Sequence, residues 1–470
     1  MRTRTGLVVV ALLTWTGLAW AQPASQLSPE VSAFVRVSAP VFALTHARVV
    51  DGTGTPPRAD QTIVVERGRI VAVGAAGEVT IPAGAERLDV SGHTIIPGLV
   101  GMHDHTDYAG ARGRLTLSFS APRIYLASGL TTIRTAGSLS PYTEVNIKKG
   151  IEDGALVGPR MHITGPRLSE GLQNYSPSSP EDARRMVRYW AEEGATWIKA
   201  HARISRKNLK AAIDEAHRQG IKFTGHLCSV TFGEAVALGI DGLEHGLFVA
   251  SDFDPNKRPD ECPPTQRRSL ASVDIESDEV TSLIEQMVAN GVSLTSTLSV
   301  VEQMVPGRPV EDRVLDIMAP EVRETFLERH RSVQASADES FMPAVWTRML
   351  AFERAFVAAG GLLTAGVDPT GNGGAIPGFG DQRNFELLIE AGFTPVAALE
   401  IMTANGARAL GEYDRLGSVT EGKLADLVVL EGDPIARPAD IRNVVIVFKD
   451  GVGYDAPKIL ASVKGIVGAR

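Results

Sequence analysis

Eight short runs of apolar and β-branched residues recur between residues 95 and 368, and five of them stop at a histidine, a lysine or an aspartate. The first is Ile95-Ile96-Pro97-Gly98-Leu99-Val100-Gly101-Met102, closing on His103-Asp104-His105. Thr196-Trp197-Ile198 leads to Lys199 and His201, Ile221-Lys222-Phe223 to His226, Ile240-Asp241-Gly242-Leu243 to Glu244 and His245, and Leu362-Leu363-Thr364-Ala365 to Asp368. Runs of this length, spaced widely enough for a helix between them, read as parallel strands with helical crossovers. The common fold that gathers the C-terminal ends of many successive strands at one point is the closed barrel of alternating strands and helices. The expected class is therefore α/β, a TIM-like (β/α)8 barrel, with residues 130–135, 161–164 and 292–297 as its second, third and seventh strands.

The intervals fit that reading. Residues 179–193 place Ala183, Met186, Val187 and Trp190 at helical spacing, and residues 206–219 place Leu209, Ile213 and Ala216 so. Each segment stops at a glycine, Gly194 or Gly220, the residue that most readily takes the left-handed turn ending a helix. On either side of the barrel the texture changes to short β-rich runs and turns, too short to bury a core separately. Residues 36–97 and 415–462 are expected to share one small composite β-sandwich, with residues 98–414 inserted between them as the barrel.

In an extended strand the side-chain period is two, so His103 and His105 leave the same face and can reach one cation. In a chain with 10 histidines that spacing is weak by itself, and the downstream strand ends give it weight. His201 lies two residues past Lys199, on the same face. Tyr108, Arg134, His162, Tyr175 and Arg203 follow or adjoin strand ends and are the candidates for binding a substrate, with Arg134 or Arg203 as counter-charge for a carboxylate.

The motifs PGLVGMHDH, WIKAH, GHL, GLEHG and TAGVD make the chain, over about residues 42–455, similar to the amidohydrolase superfamily of metal-dependent hydrolases. Within it the chain resembles the group of imidazolonepropionase-like proteins and exported prolidase-like or Xaa-Arg/Lys dipeptidase-like enzymes. The resemblance implies two divalent ions, zinc being expected, held by His103, His105, His226, His245, Asp368 and an N6-carboxylated Lys199 that bridges them. It implies hydrolysis of an amide bond in a small peptide or N-acyl amino acid by a metal-bridging hydroxide, with Asp368 as proton shuttle and His201 the next candidate. The chain departs from the group at Gly101, where an aspartate is usual, and in lacking a histidine soon after Asp368. Hydrolysis of a lactone, carbamate or phosphotriester on the same binuclear site is the alternative chemistry, and a non-catalytic exported binding protein the alternative class.

A formal charge of −8 and the lack of a dense basic patch argue against nucleic acid or anionic membrane as partner. Arg2 and Arg4, the apolar residues 6–18 and the small-residue site Ala19-Trp20-Ala21 read as a signal peptide over residues 1–21, with periplasmic or secreted material starting at Gln22 and no transmembrane segment in the mature chain. A homo-oligomer is expected. Cys228 and Cys262 are the two cysteines, and although an oxidising compartment permits a pair, Cys228 reads as a buried free thiol. Residues 250–274 read as a long unstructured segment after the sixth strand, covering the site or meeting another subunit.

Overall fold

Every expected run forms a strand, and helices occupy the intervals. The computed structural model describes residues 26–171 and 175–469, so the expected leader at residues 1–21 lies outside the described residues. In order, the strands are Leu99–Asp104, Leu130–Thr135, Arg160–His162, Trp197–Ala200, Lys222–Gly225, Gly242–Glu244, Ser293–Ser296 and Leu363–Ala365. All neighbours among them pair in parallel, in two sheets. One sheet holds the first three strands; the other joins the fourth to the eighth and begins with the two-residue strand Arg167–Leu168, which continues the third run.

Two seams bring the sheets together. Thr196 N donates to Ile163 O at 3.0 Å, and Asp368 N donates to His103 O at 2.9 Å. Gly366 is needed at the second seam, because a Cβ there would strike the His103 backbone. The amphipathic segments are the helices Pro180–Glu192 and Arg206–Arg218. Ser179 caps the first, its hydroxyl accepting from Asp182 N, with Pro180 at the start of the helix, where its missing N–H costs nothing.

The chain ends share one nine-stranded sheet, in which His93–Pro97 pairs with Leu427–Glu431 and the edge runs through Val444–Lys449 and Val452–Asp455 to Val35–Val37. Val41–Val49 and Val444–Lys449 have two strands between them, about 14 Å apart in a flat sheet. Yet the rings of Phe42 and Phe448 stack with centroids 4.9 Å apart. The sheet must curl on itself, enclosing Leu44, Ile63, Ile95, Leu427, Val429 and Ile446.

Cys228 and Cys262 form a disulfide with a Cα–Cα distance of 5.0 Å, which corrects the free-thiol reading. The cause lies in residues between them. The Ser251 hydroxyl donates to Cys228 O at 2.7 Å, and the Asp252 carboxylate accepts from Phe232 N and Gly233 N at 2.9 Å each. These bonds fold the segment back over the start of helix Phe232–Ala237, and Asp260 then accepts from Arg206 N at 2.7 Å. The segment expected to be unstructured is thus anchored and holds the short helix Gln266–Ser269.

Candidate metal centre

Side chains on the inner side of the parallel strands change character along the strand axis. Near the amino-terminal ends Val100, Met102 and Trp197 pack with Ala407, Ala409 and Leu416 as an apolar plug. Above it, Arg134 lies with its guanidinium 4.6 Å from the Trp197 ring centre and donates to Glu244 Oε1 at 2.5 Å. Glu244 Oε1 also accepts from Thr224 Oγ1 at 2.5 Å, and Oε2 takes the proton of His103 Nδ1 at 2.7 Å. Burial would raise the Glu244 carboxyl, but Arg134, Lys199 and the Thr224 bond outweigh it and hold the group below the usual range. A carboxylate on Nδ1 fixes the tautomer of His103 and presents Nε2 to the carboxyl-terminal side.

Five imidazoles succeed one another there: the ring centres of His105 and His103 are 5.2 Å apart, of His103 and His245 4.4 Å, of His245 and His226 4.5 Å, and of His226 and His201 4.4 Å. Burial holds His103, His105, His226 and His245 well below the ordinary histidine value, and brings His201 to about 3, so all five are neutral at pH 7. Asp368 faces this row, with Oδ2 3.8 Å from His103 Nε2 and from His245 Nδ1, and Oδ1 3.5 Å from His105 Nε2. Lys199 Nζ lies 3.0 Å from His103 Nε2, and burial lowers its amine to about 7. His245 (φ +68°) and Asp368 (φ +45°) both sit in the left-handed region, a strained conformation for residues with side chains. The Asp368 backbone bond to His103 O and the Thr370 hydroxyl on Asp368 Oδ1 at 2.6 Å hold it there.

The donors fit a divalent cation. Ligand atoms of His103, His245 and Asp368 lie within 4.8 Å of one another, all buried. Nδ1 of His105 and Nε2 of His245 are buried with no hydrogen-bond partner among the described residues, and buried polar groups in native proteins seldom stay unpaired. Residues 94–453 match the amidohydrolase family.

The chain belongs to the amidohydrolase family.

Family members generally use metal ions, in accord with this donor set. The chain is 24% identical over 478 residues to ochratoxinase of Aspergillus niger, spanning 87% of this chain and 86% of that one. It is 23% identical over 411 residues to imidazolonepropionase of Idiomarina loihiensis, spanning 82% and 89%. A prolidase-like structure from Bifidobacterium longum superposes with a TM-score of 0.67 at 26% identity, covering 90% of this chain and 98% of that one.

The structure thus brings His103, His105, Lys199, His226, His245, Asp368 and His201 of this amidohydrolase to one place. Arg134 does not join them: it is fully buried beneath the histidines and committed to Glu244 and to Met102 O. His162 is at the opposite end, where Nε2 is 3.3 Å from Glu412 Oε1 beside a cleft of ≈ 320 Å³. Tyr108 is buried and spends its hydroxyl on Gly373 O at 2.7 Å, tying down the loop that follows Asp368. Tyr175 packs against the core with its carbonyl accepting from Ser169 N, and Arg203 is exposed on the segment after the fourth strand.

Four residues carried no site role in the sequence reading. Glu244 and Thr297 orient His103 and His245, Thr297 Oγ1 lying 2.8 Å from His245 Nδ1. Asp104 accepts from Val367 N at 3.2 Å, and its Oδ2 fills the space that a Cβ on Gly101 would need, so the glycine is a packing requirement of Asp104. Arg167 is the fourth. Adjacency to His245 in GLEHG was the available signal for Glu244; the other three depend on contacts across the sheets.

Proposed function

We propose that this amidohydrolase is an exported, binuclear metal-dependent hydrolase that cleaves an amide bond in a small peptide or N-acyl amino acid. The observation that carries the reading is the convergence of five neutral imidazoles, Asp368 and Lys199 at the carboxyl-terminal ends of the parallel strands. It rests on the two sheets closing at their seams into one barrel, whose catalytic groups belong at that end. Residues 36–97 and 415–462 would form the accessory domain. The likeness to a prolidase-like structure and to ochratoxinase supports hydrolysis, and the disulfide suits export.

His103, His105, His226, His245, Asp368 and Lys199 would hold two divalent ions, and a zinc pair would supply Lewis acidity and a water made nucleophilic near neutral pH. A lysine amine near 7 exposes its neutral form to carbon dioxide, so Lys199 Nζ can add carbon dioxide and lose a proton to form a carbamate. That exchanges a buried cation for an anion where cations are to be held. Asp368 accepts the proton of the attacking water at a carboxylate oxygen and returns it to the departing amine. His201, neutral and beside His226, serves as a hydrogen-bonding group at the edge of the row.

Zinc-reconstituted protein assayed on dipeptides, N-acyl amino acids, lactones and carbamates tests the reading. Amide cleavage should dominate. Turnover confined to lactones or carbamates would move the protein to the alternative chemistry, and no turnover would leave the binding-protein reading.

A further inference from the structure

Arg167 is the basic group best placed to choose a substrate. It pairs in parallel register with Lys199, and paired residues of neighbouring parallel strands share a face, so both side chains enter the same interior. Gly137 (φ +85°) makes room for the two stems: a Cβ there would lie 2.5 Å from Arg167 Cγ and 3.4 Å from Lys199 Cδ. Nη2 of Arg167 is buried with no hydrogen-bond partner among the described residues; the nearest carboxylate oxygen, Asp107 Oδ2, stands 3.7 Å away. Asp107 is itself occupied, accepting from Leu139 N at 2.8 Å and Thr116 Oγ1 at 3.2 Å.

The charge surroundings sharpen the point. The field of Arg167 reaches His103, His105, Lys199 and His201. A second guanidinium, Arg114 on the hairpin strand Gly113–Thr116, acts on Arg167, His105 and His201 with the same sign, while Asp107, Asp368 and Glu144 act on Arg167 with the opposite sign. Two guanidinium charges acting on the same imidazoles, one with a buried donor that lacks a hydrogen-bond partner among the described residues, suit an anion beside the histidine row. A planar fork of N–H groups matches a carboxylate in two-point contact.

We propose that Arg167, seconded by Arg114 at the rim, binds a free carboxylate of the substrate, so that the enzyme acts on amides carrying a carboxylate next to the scissile bond. This rests on the amide-hydrolase reading and replaces Arg134 and Arg203 as the expected counter-charges.

The test compares the best N-acyl amino acid or dipeptide substrate with the same compound whose carboxylate is converted to the primary amide, on zinc-loaded protein. The native enzyme should prefer the free acid, and Arg167→Met should lower kcat/KM on that acid by about 10²-fold, chiefly through KM, the scale of a truncated charge pair. The capped compound should respond far less, zinc content should hold, and Arg167→Lys should recover part of the loss. Arg114→Met, at an exposed position, should cost about fivefold or less. Equal cleavage of acid and capped compound by the native enzyme would overturn the assignment while leaving amide hydrolysis intact. So would an Arg167→Met protein that loses both substrates and its zinc together, which would place Arg167 with Lys199 as a support of the metal centre. Cleavage of no amide at all would remove the functional reading and this assignment with it.

Discussion

The two ends of the parallel strands treat buried charge in opposite ways. At the amino-terminal end Arg160 donates to Asp426 at 2.9 Å, to Asp450 at 2.6 Å and to Thr132 Oγ1 at 2.8 Å, while Asp450 N donates to Asp426 Oδ1 at 2.8 Å. That network joins the strands to the nine-stranded sheet and spends its donors internally. At the other end His105 Nδ1 and His245 Nε2 are buried with no hydrogen-bond partner among the described residues, as is Arg167 Nη2, whose ion-pair partner Asp107 Oδ2 stands 3.7 Å away. A satisfied network rigidifies, whereas unmet polar capacity at a strand terminus is held for something from outside. In the closed barrel proposed for these strands, the first pattern would belong with stability and the second with chemistry.

Substitutions at the two ends should therefore fail differently. The largest effect on turnover is expected at Asp368→Asn, which keeps shape and removes most basicity: kcat should fall by about 10²-fold or more, the range general acid–base groups supply. Near-normal turnover in a fully metal-loaded Asp368→Asn protein would move the proton shuttle elsewhere. At the opposite end Arg160→Met leaves Asp426 buried without its cation, so urea unfolding should show a loss of about 3 kcal/mol with kcat little changed. A kinetic defect there without a stability defect would erase the distinction.

A subtler effect concerns Glu353, which is buried beside Gly246 and whose carboxyl burial pushes up to about 8 against the lowering effect of Ser296. The unfolded chain releases this proton near the ordinary 4.5 and the folded chain retains it to about 8. Native stability should thus fall as pH rises through that window. Glu353→Gln, which cannot ionise, should flatten the decline; an unchanged slope in urea titrations from pH 5 to 8 would assign it to other groups. Smallest of all, His162→Ala should alter kcat/KM by less than about twofold, because its contacts are with Glu412 and Thr196, away from the histidine row.

What was legible in the sequence was local. The fourth strand was expected within residues 196–201 and spans Trp197–Ala200; the helix expected at 179–193 spans Pro180–Glu192. Apolar runs and capping residues act over a few neighbours, and strand ends inherit their position from the run before them. The errors came where two distant segments decide the outcome. Arg134 read as a mouth residue because nothing near it in sequence shows that Glu244, 110 residues later, will take its guanidinium. Cys228 read as a free thiol because the Ser251 and Asp252 bonds that return Cys262 to it are side-chain contacts within an apparently featureless segment. Arg167 was overlooked because its two-residue strand carries too little pattern to register.

The central claim is that the unpaired histidine nitrogens at the carboxyl-terminal end are there for metal. Elemental analysis of zinc-reconstituted, gel-filtered protein tests it most directly, alongside Lys199→Ala. The account predicts two ions per chain in the native protein and loss of most metal in the variant; one ion would contradict the binuclear centre, and a native protein that retains none would contradict the claim itself.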